Sequence, residues 1–227
     1  MRTAVLISGG LDSAVLLAEE AARPGAEFVQ PIYVSVGLAW EAAEQAALGR
    51  LLSADPLRQQ TQPLASLSVD MRDVYPAHHW AIEGKPPAYH TPDEDVYLPG
   101  RNVVLLGKAG VYCAAAAIDR LVLGTLAHNP FPDATPTFRS AMETALSIGL
   151  AHTITIDAPF AEIEKSEVVR RGTERGIPLQ LTLSCMSPLD GGHCGTCSKC
   201  RERHDAFVKA GIVDVTDYAD RSYVGMA

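Results

Sequence analysis

The sequence contains no apolar run near the roughly 20 residues that cross a bilayer, and its opening apolar stretch, 4–7, meets Ser8-Gly9-Gly10 too early for a signal peptide. Both absences point to a cytoplasmic protein without membrane association. An excess of positive charge is also missing: 19 Lys and Arg stand against 27 Asp and Glu, a net charge of −8. Broad nucleic-acid binding needs a basic surface, so no direct nucleic-acid contact is expected. No Walker A pattern, internal repeat or low-complexity tract is present. Cysteine is scarce. Of five in all, four fall between 185 and 200, and such a cluster in a cytosolic protein points to metal rather than disulfides.

What remains is 227 residues, 47% hydrophobic, enough for one α/β domain or one domain with a small appendage. The stretches 5–7 and 13–22, joined by a Gly-rich turn, read as strand, phosphate-type loop and helix. Further strands are expected over 28–36, 62–69, 120–125 and 152–157. Helices are expected over 40–52, 102–117, 137–150, 164–175 and 201–210. This alternation predicts a doubly wound α/β fold with a five-stranded parallel sheet. The 71–100 segment, with Pro76, Pro86, Pro87, Pro92 and Pro99, is a long irregular stretch, usually functional or mobile. Residues 1–180 are expected to form the main domain, and 181–227 a cysteine-bearing segment packed on it.

Three motifs could carry chemistry. In Ser8-Gly9-Gly10-Leu11-Asp12-Ser13, glycines let the main chain approach phosphate oxygens, and the following helix aims its N-terminal N–H groups at the anion. Ser8 and Ser13 can donate hydrogen bonds, and Asp12 could hold Mg²⁺ or cap the helix. In Cys185-x₈-Cys194-x₂-Cys197-x₂-Cys200, four thiolates suit a tetrahedral Zn²⁺ in a closed, structural site; an iron–sulfur cluster is the alternative. His193 is a fifth candidate ligand that otherwise reads as a solvated loop residue, and Cys113 reads as core packing. Pro99-Gly100-Arg101-Asn102 opens a helix, with Arg101 able to meet an anion and Asn102 able to cap. Lys165-Ser166 reads by default as a helix start with an ordinary surface lysine.

Together these motifs resemble the PP-loop ATP pyrophosphatases (adenine nucleotide alpha hydrolase-like fold), and among them the 7-cyano-7-deazaguanine synthase family. SGGLDS at 8–13, PGRN at 99–102, Lys165-Ser166 after Ala158-Pro159, and C-x₈-C-G-x-C-x-x-C-R at 185–201 follow in the family's order. The resemblance extends to Ala210-Gly211 and Asp214. It implies an ATP-dependent carbon–nitrogen ligase of queuosine biosynthesis, using ATP, Mg²⁺ and Zn²⁺ to convert a small-molecule carboxylate with ammonia to a nitrile, and a homodimer. Under it Ser8–Ser13 would hold the phosphates, and Asp12, Arg101 and Lys165 are the catalytic candidates.

One segment departs from the family. After Gly124 the family carries an acidic residue and then Tyr-Pro-Asp-Cys-Arg bordering the substrate. Here the 126–135 stretch is shorter, with Ala134 and Thr135 at the Cys and Arg positions. Asn129, Pro132, Asp133 and Arg139 are the candidate substrate-binding residues, Arg139 as a replacement cation. Two other readings stand beside the ligase: a PP-loop enzyme of tRNA thiolation, and a nucleotide- and zinc-binding protein without turnover.

Overall fold

Ala4 and Val5, neighbours in strand β1 (Arg2–Leu6), point to opposite sides and are both fully buried. A strand apolar on both faces belongs inside a sheet covered on both sides. In the computed structural model, which describes residues 1–224, β1 is the central strand of a five-stranded sheet ordered β3-β2-β1-β4-β5. The last three residues of the expected 181–227 segment lie outside the described residues. Its partners β2 (Phe28–Ser35), β3 (Ala65–Ser68), β4 (Arg120–Val122) and β5 (Thr155–Asp157) all run parallel.

Among the described residues eight α-helices connect and cover the strands: α1 (Leu11–Ala21), α2 (Glu41–Ser53), α3 (Leu57–Gln60), α4 (Trp80–Glu83), α5 (Arg101–Ala115), α6 (Pro136–Leu150), α7 (Lys165–Glu174) and α8 (Ser198–Ala210). Successive strand residues enter different cores, as the period of 2 requires. Ala4, Ile32 and Leu121 pack with Leu106 of α5, whereas Val5, Val29 and Val122 pack with Leu16 of α1, Val168 of α7 and Phe207 of α8. The predicted doubly wound parallel sheet is the observed one.

Strand order places the site. The chain winds outward from β1 to β3, then returns to β4 on the other flank of β1. At such a reversal the loops after the two central strands part and leave a crevice. Those loops are Ser8–Gly9–Gly10, after β1, and Leu123–Gly124–Thr125, after β4. At the opposite end of the strands, buried Arg120 joins Glu20 of α1 at 2.5 Å and Asp157 of β5 at 2.7 Å, so the charge taken into the core is paired.

Several boundaries differ from the sequence expectation. β5 begins at Thr155 rather than 152. Its expected first residues instead close α6: His152 donates its N–H to Ser147 O, and the Ser147 hydroxyl accepts from Ile154 N. β4 ends at Val122, where the chain turns away to line the crevice. α8 begins three residues earlier than expected, with Cys197 at the N-cap position. The 71–100 stretch is mostly irregular, with one turn of α4 and a 3₁₀ turn at Asp93–Val96. It is nonetheless pinned: Tyr75, Ala81, Val96 and Leu98 are buried, and Trp80 stacks on Trp40 at 5.7 Å.

Candidate active site and metal centre

The Ser8–Gly10 loop is held in shape by its own hydroxyls. Ser8 N donates to Ser13 Oγ, Gly10 N to Ser8 Oγ, and Ser13 Oγ to Gly10 O, at 3.3–3.4 Å. Gly9 has φ +83°, where a side chain would be strained, and its carbonyl accepts Leu183 N at 2.7 Å. Ser8, Gly10, Asp12 and Ser13 line a cleft of about 260 Å³ at the sheet's reversal point, while Leu11 is buried in the core. A second cleft of about 420 Å³ shares Asp12, Gly124, Asn129 and Phe131 with the first. Together they reach the size range of sites that enclose small molecules.

Asp12 and Lys165, unconnected in sequence, meet across this junction. Lys165 Nζ lies 3.0 Å from Asp12 Oδ2 and donates to Glu202 Oε1 at 2.6 Å, and Lys199 reaches Glu202 Oε2 at 2.5 Å. Lys165 is only 15% exposed, so it is not the ordinary surface lysine of the default reading. Burial alone would lower its pKa, but Asp12 and Glu202 outweigh it and hold the ammonium well above its usual range. Burial likewise pushes Glu202 up, but Lys165 and Lys199 prevail and hold it well below the usual carboxylate range. Asp12 is pushed up by burial, offset only in part by Lys165. Its Oδ1 is buried and has no hydrogen-bond partner. An orphaned carboxylate oxygen beside a phosphate-type loop is a place where a divalent cation could bind.

Arg101 opens α5 on the opposite wall, its Nε buried without a partner. Below it sit two acids, Glu41 and Glu44, which the sequence reading passed over. Glu44 accepts from Tyr33 Oη at 2.9 Å and Trp40 Nε1 at 3.1 Å. Burial raises its pKa to about 7, with Arg101 pulling it back. Glu41 accepts Val36 N, Gly37 N and the Ser35 hydroxyl, fixing the turn after β2. Two acids three residues apart, in a helix otherwise rich in Ala and Leu, were the available signal.

The 126–135 segment borders the first cleft through Asn129, Phe131 and Asp133; Pro132 is exposed, and neither it nor Arg139 lines either cleft. Arg139 donates to Ala134 O at 2.8 Å, so it does not occupy the place of the missing arginine. Thr135 caps α6 by accepting Phe138 N. Asn102 does not cap α5 with its own side chain. Its backbone N–H donates to Asp133 Oδ2 at 3.3 Å and its amide to Asp133 O at 3.1 Å, so the cap comes from the altered segment. Burial raises the Asp133 pKa against the Asn102 hydrogen bonds, and its Oδ1 has no partner. Phe131 stacks on Tyr97 with centroids 5.1 Å apart.

The four cysteines converge. All are buried, with sulfur atoms within 4.8 Å of one another, and this group could hold a metal ion. Cys194 N and Ser187 N donate to Cys185 Sγ, and Thr196 N to Cys194 Sγ, at 3.3–3.4 Å. His193 is not solvated: it is 4% exposed, and its Nε2 accepts Ser184 N at 3.1 Å. Burial, then the nearby Arg203, lower its pKa to about 3. The sequence reading placed it wrongly because its neighbours Gly191, Gly192 and Gly195 suggest an open loop. Here the 216–220 tail folds over that loop, with Ala219 N donating to His193 O and Asp220 N to Cys194 O. Cys113 is fully buried, as expected for core packing.

The first turn of α8 serves four purposes at once. Cys200 joins the sulfur group, and Arg201 grips Tyr89 O, Thr91 O and Asp93 of the long loop. Glu202 meets Lys165. Arg203, with no exposure, binds Thr216, Thr182, Ser184 and Leu179 O.

Known proteins resemble this chain over most of its length. The family model described as "Queuosine biosynthesis protein QueC" matches residues 2–211. A relative named 7-cyano-7-deazaguanine synthase from Anaeromyxobacter dehalogenans (strain 2CP-C) is 32% identical over 234 residues, covering 96% of each chain. Relatives of the same name from Azoarcus sp. (strain BH72) and Methanopyrus kandleri are also 32% identical. They cover 97% and 96% of this chain and 98% and 99% of their own length.

Proposed function

This chain belongs to the family of the queuosine biosynthesis protein QueC, and from that premise we propose that it converts 7-carboxy-7-deazaguanine to 7-cyano-7-deazaguanine with ATP and ammonia. The observation that carries the reading is the Asp12–Lys165 pair beside the Ser8–Gly10 loop, with Asp12 Oδ1 unpartnered. A carboxylate is a poor electrophile, because its leaving group would be an oxide or hydroxide. Attack of one carboxylate oxygen on the ATP α-phosphorus forms an acyl-adenylate and releases pyrophosphate. Ammonia then adds to the acyl carbon and AMP departs, giving the amide. The amide oxygen attacks a second ATP, again releasing pyrophosphate. Loss of AMP and both N–H protons leaves the nitrile.

In this reading Ser8, Gly9, Gly10, Leu11, Asp12 and Ser13 cradle the phosphates at the α1 N-terminus, chiefly through the main-chain N–H groups that are not engaged within the loop itself. Lys165 neutralises the departing pyrophosphate, and Arg101 faces the anion from the other wall. Mg²⁺ bound at Asp12 would supply further charge neutralisation. Asn129 and Asp133 face the acceptor, whereas Pro132 and Arg139 support the segment from outside. The sulfur group suits Zn²⁺: tetrahedral bonds of about 2.3 Å place sulfurs about 3.8 Å apart, against 3.5, 3.9 and 3.9 Å for three of the six pairs here and no more than 4.8 Å for any pair. Residues 1–180 thus carry the nucleotide chemistry, and 181–227 bind the zinc. The chain acts as a cytoplasmic homodimer; α6, which has no fully buried residue and leaves Ile148 77% exposed, supports self-association.

RNA thiolation has less support. The chain's net charge is −8, and four of its cysteines are gathered in the sulfur group. The fifth, Cys113, is pushed up to about 12 by burial, far from a reactive thiolate. The test is pyrophosphate release against a panel of deazapurine carboxylates with ammonia. Release that is strongest with 7-carboxy-7-deazaguanine supports the assignment. Release driven by another carboxylate, or by none, overturns it.

A further inference from the structure

Lys165 stands between two carboxylates that come from different parts of the chain. Asp12 belongs to the nucleotide loop, whereas Glu202 comes from the helix that carries Cys200. Along α8, Cys200 and Arg203 face the sulfur group and the buried tail, while Lys199 and Glu202, also three residues apart, face the second cleft. This division follows from helix geometry, in which residues three apart share a face. Other cations lining that cleft are already engaged: Arg201 with Asp93, Lys199 with Glu202, and Lys209 with Glu164. Lys165 differs from them in being engaged by two carboxylates at once.

A lysine is a point charge on a flexible four-carbon stem, and it has to be held to act at a fixed place. Asp12 cannot be its only holder under the function proposed above. An Asp12 that turns toward a divalent cation has less charge to offer Lys165, and an Asp12 that keeps Lys165 is a poorer cation ligand. Glu202 resolves this conflict, because it binds the ammonium at 2.6 Å and anchors its own second oxygen on Lys199 at 2.5 Å. We propose that Glu202 is a positioning residue: it holds Lys165 toward the nucleotide loop independently of Asp12, so that the cysteine-bearing helix sets the geometry of the nucleotide site. This inference rests on the adenylation reading, though its geometry does not.

The test compares wild type with Glu202→Gln and Glu202→Asp, each checked for zinc content and melting temperature. Glu202→Gln keeps the shape but removes the charge. It should lower kcat about 10- to 100-fold, the scale of a misplaced charged group, with KM for ATP changed less than about threefold, because the lost interaction belongs to the transition state. Glu202→Asp should recover a large part of kcat. A second readout needs no turnover: amine-directed acetylation followed by mass spectrometry should label Lys165 several-fold faster in Glu202→Gln than in wild type. Unchanged kcat with unchanged labelling overturns the proposal. So does a kcat loss that merely tracks lost zinc or lowered melting temperature. Wild type that releases no pyrophosphate would refute the adenylation reading alone, and the labelling rate would still decide the role of Glu202.

Discussion

Gly10→Val is expected to remove nearly all turnover, at least about 100-fold, while leaving the fold intact. Gly10 has φ −74° and ψ 168°, an extended conformation in which a β-branched residue is comfortable. A Cβ built there meets only Ser8 Oγ at 3.5 Å and Leu183 O at 3.7 Å, ordinary contacts. The added methyl groups would therefore be accepted by the protein and would occupy the cleft that Gly10 lines. Gly9 is a poorer probe, because its φ of +83° and a Cβ 3.3 Å from Leu48 Cγ would mix strain with lost binding. Steady-state kinetics beside a thermal melt separates the two effects. A Gly10→Val enzyme with near-normal kcat would mean that the phosphates lie elsewhere.

Cys194→Ser should remove the metal and lower stability together, because a ligand set assembled only in the folded chain makes binding energy folding energy. Structural zinc binding is worth about 10–16 kcal/mol. Losing even a third, about 4 kcal/mol, lowers the melting temperature of a chain this size by roughly 8–16 °C. Gly195 passes so close to Asp220 that any Cβ there would sit 1.8 Å from its carbonyl oxygen, so the tail needs the knuckle in its present shape. A strong chelator should do the same to the unmodified protein. Metal analysis and calorimetry are the checks, and a metal-free protein with unchanged melting behaviour would contradict a structural role.

The parts of this molecule that were legible in sequence are those built from local pattern. A strand, a glycine turn and a helix lie together in residues 2–21, and the apolar run over 4–7 marks β1 as a buried strand. The cysteines announce their grouping through C-x₂-C spacing. What could not be read depends on partners far apart in the chain. Glu202 looks like half of a surface pair with Lys199, three residues away, and nothing local connects it to Lys165, 37 residues earlier. The cap of α5 is donated by Asp133, 31 residues beyond Asn102. Glu44 lies in an Ala-rich helix whose acids suggest solvent, yet a tyrosine and a tryptophan bind it inside the protein. In each case tertiary packing supplies a partner that helix periodicity cannot name.

The same distinction applies to the altered segment. The departure from the family's pattern suggested 126–135 as the acceptor's border; Asn129, Phe131 and Asp133 line the first cleft. The expected replacement cation, Arg139, turns back to the Ala134 carbonyl. Arg101 is left as the arginine lining that cleft. Its guanidinium is a permanent charge with a fixed fork of donors, suited to a planar oxyanion.

Adenylation of the acceptor is tested most directly by following oxygen. With 7-carboxy-7-deazaguanine labelled by ¹⁸O in both carboxylate positions, each AMP produced should carry one ¹⁸O in its phosphate and the nitrile none. The first acyl oxygen leaves with the first AMP, and the amide oxygen leaves with the second. Mass spectrometry of AMP and phosphorus NMR of the products read this out in one reaction. ADP appearing with ¹⁸O-labelled orthophosphate would place the chemistry at the γ-phosphate, and unlabelled AMP would mean that the carboxylate is never adenylated.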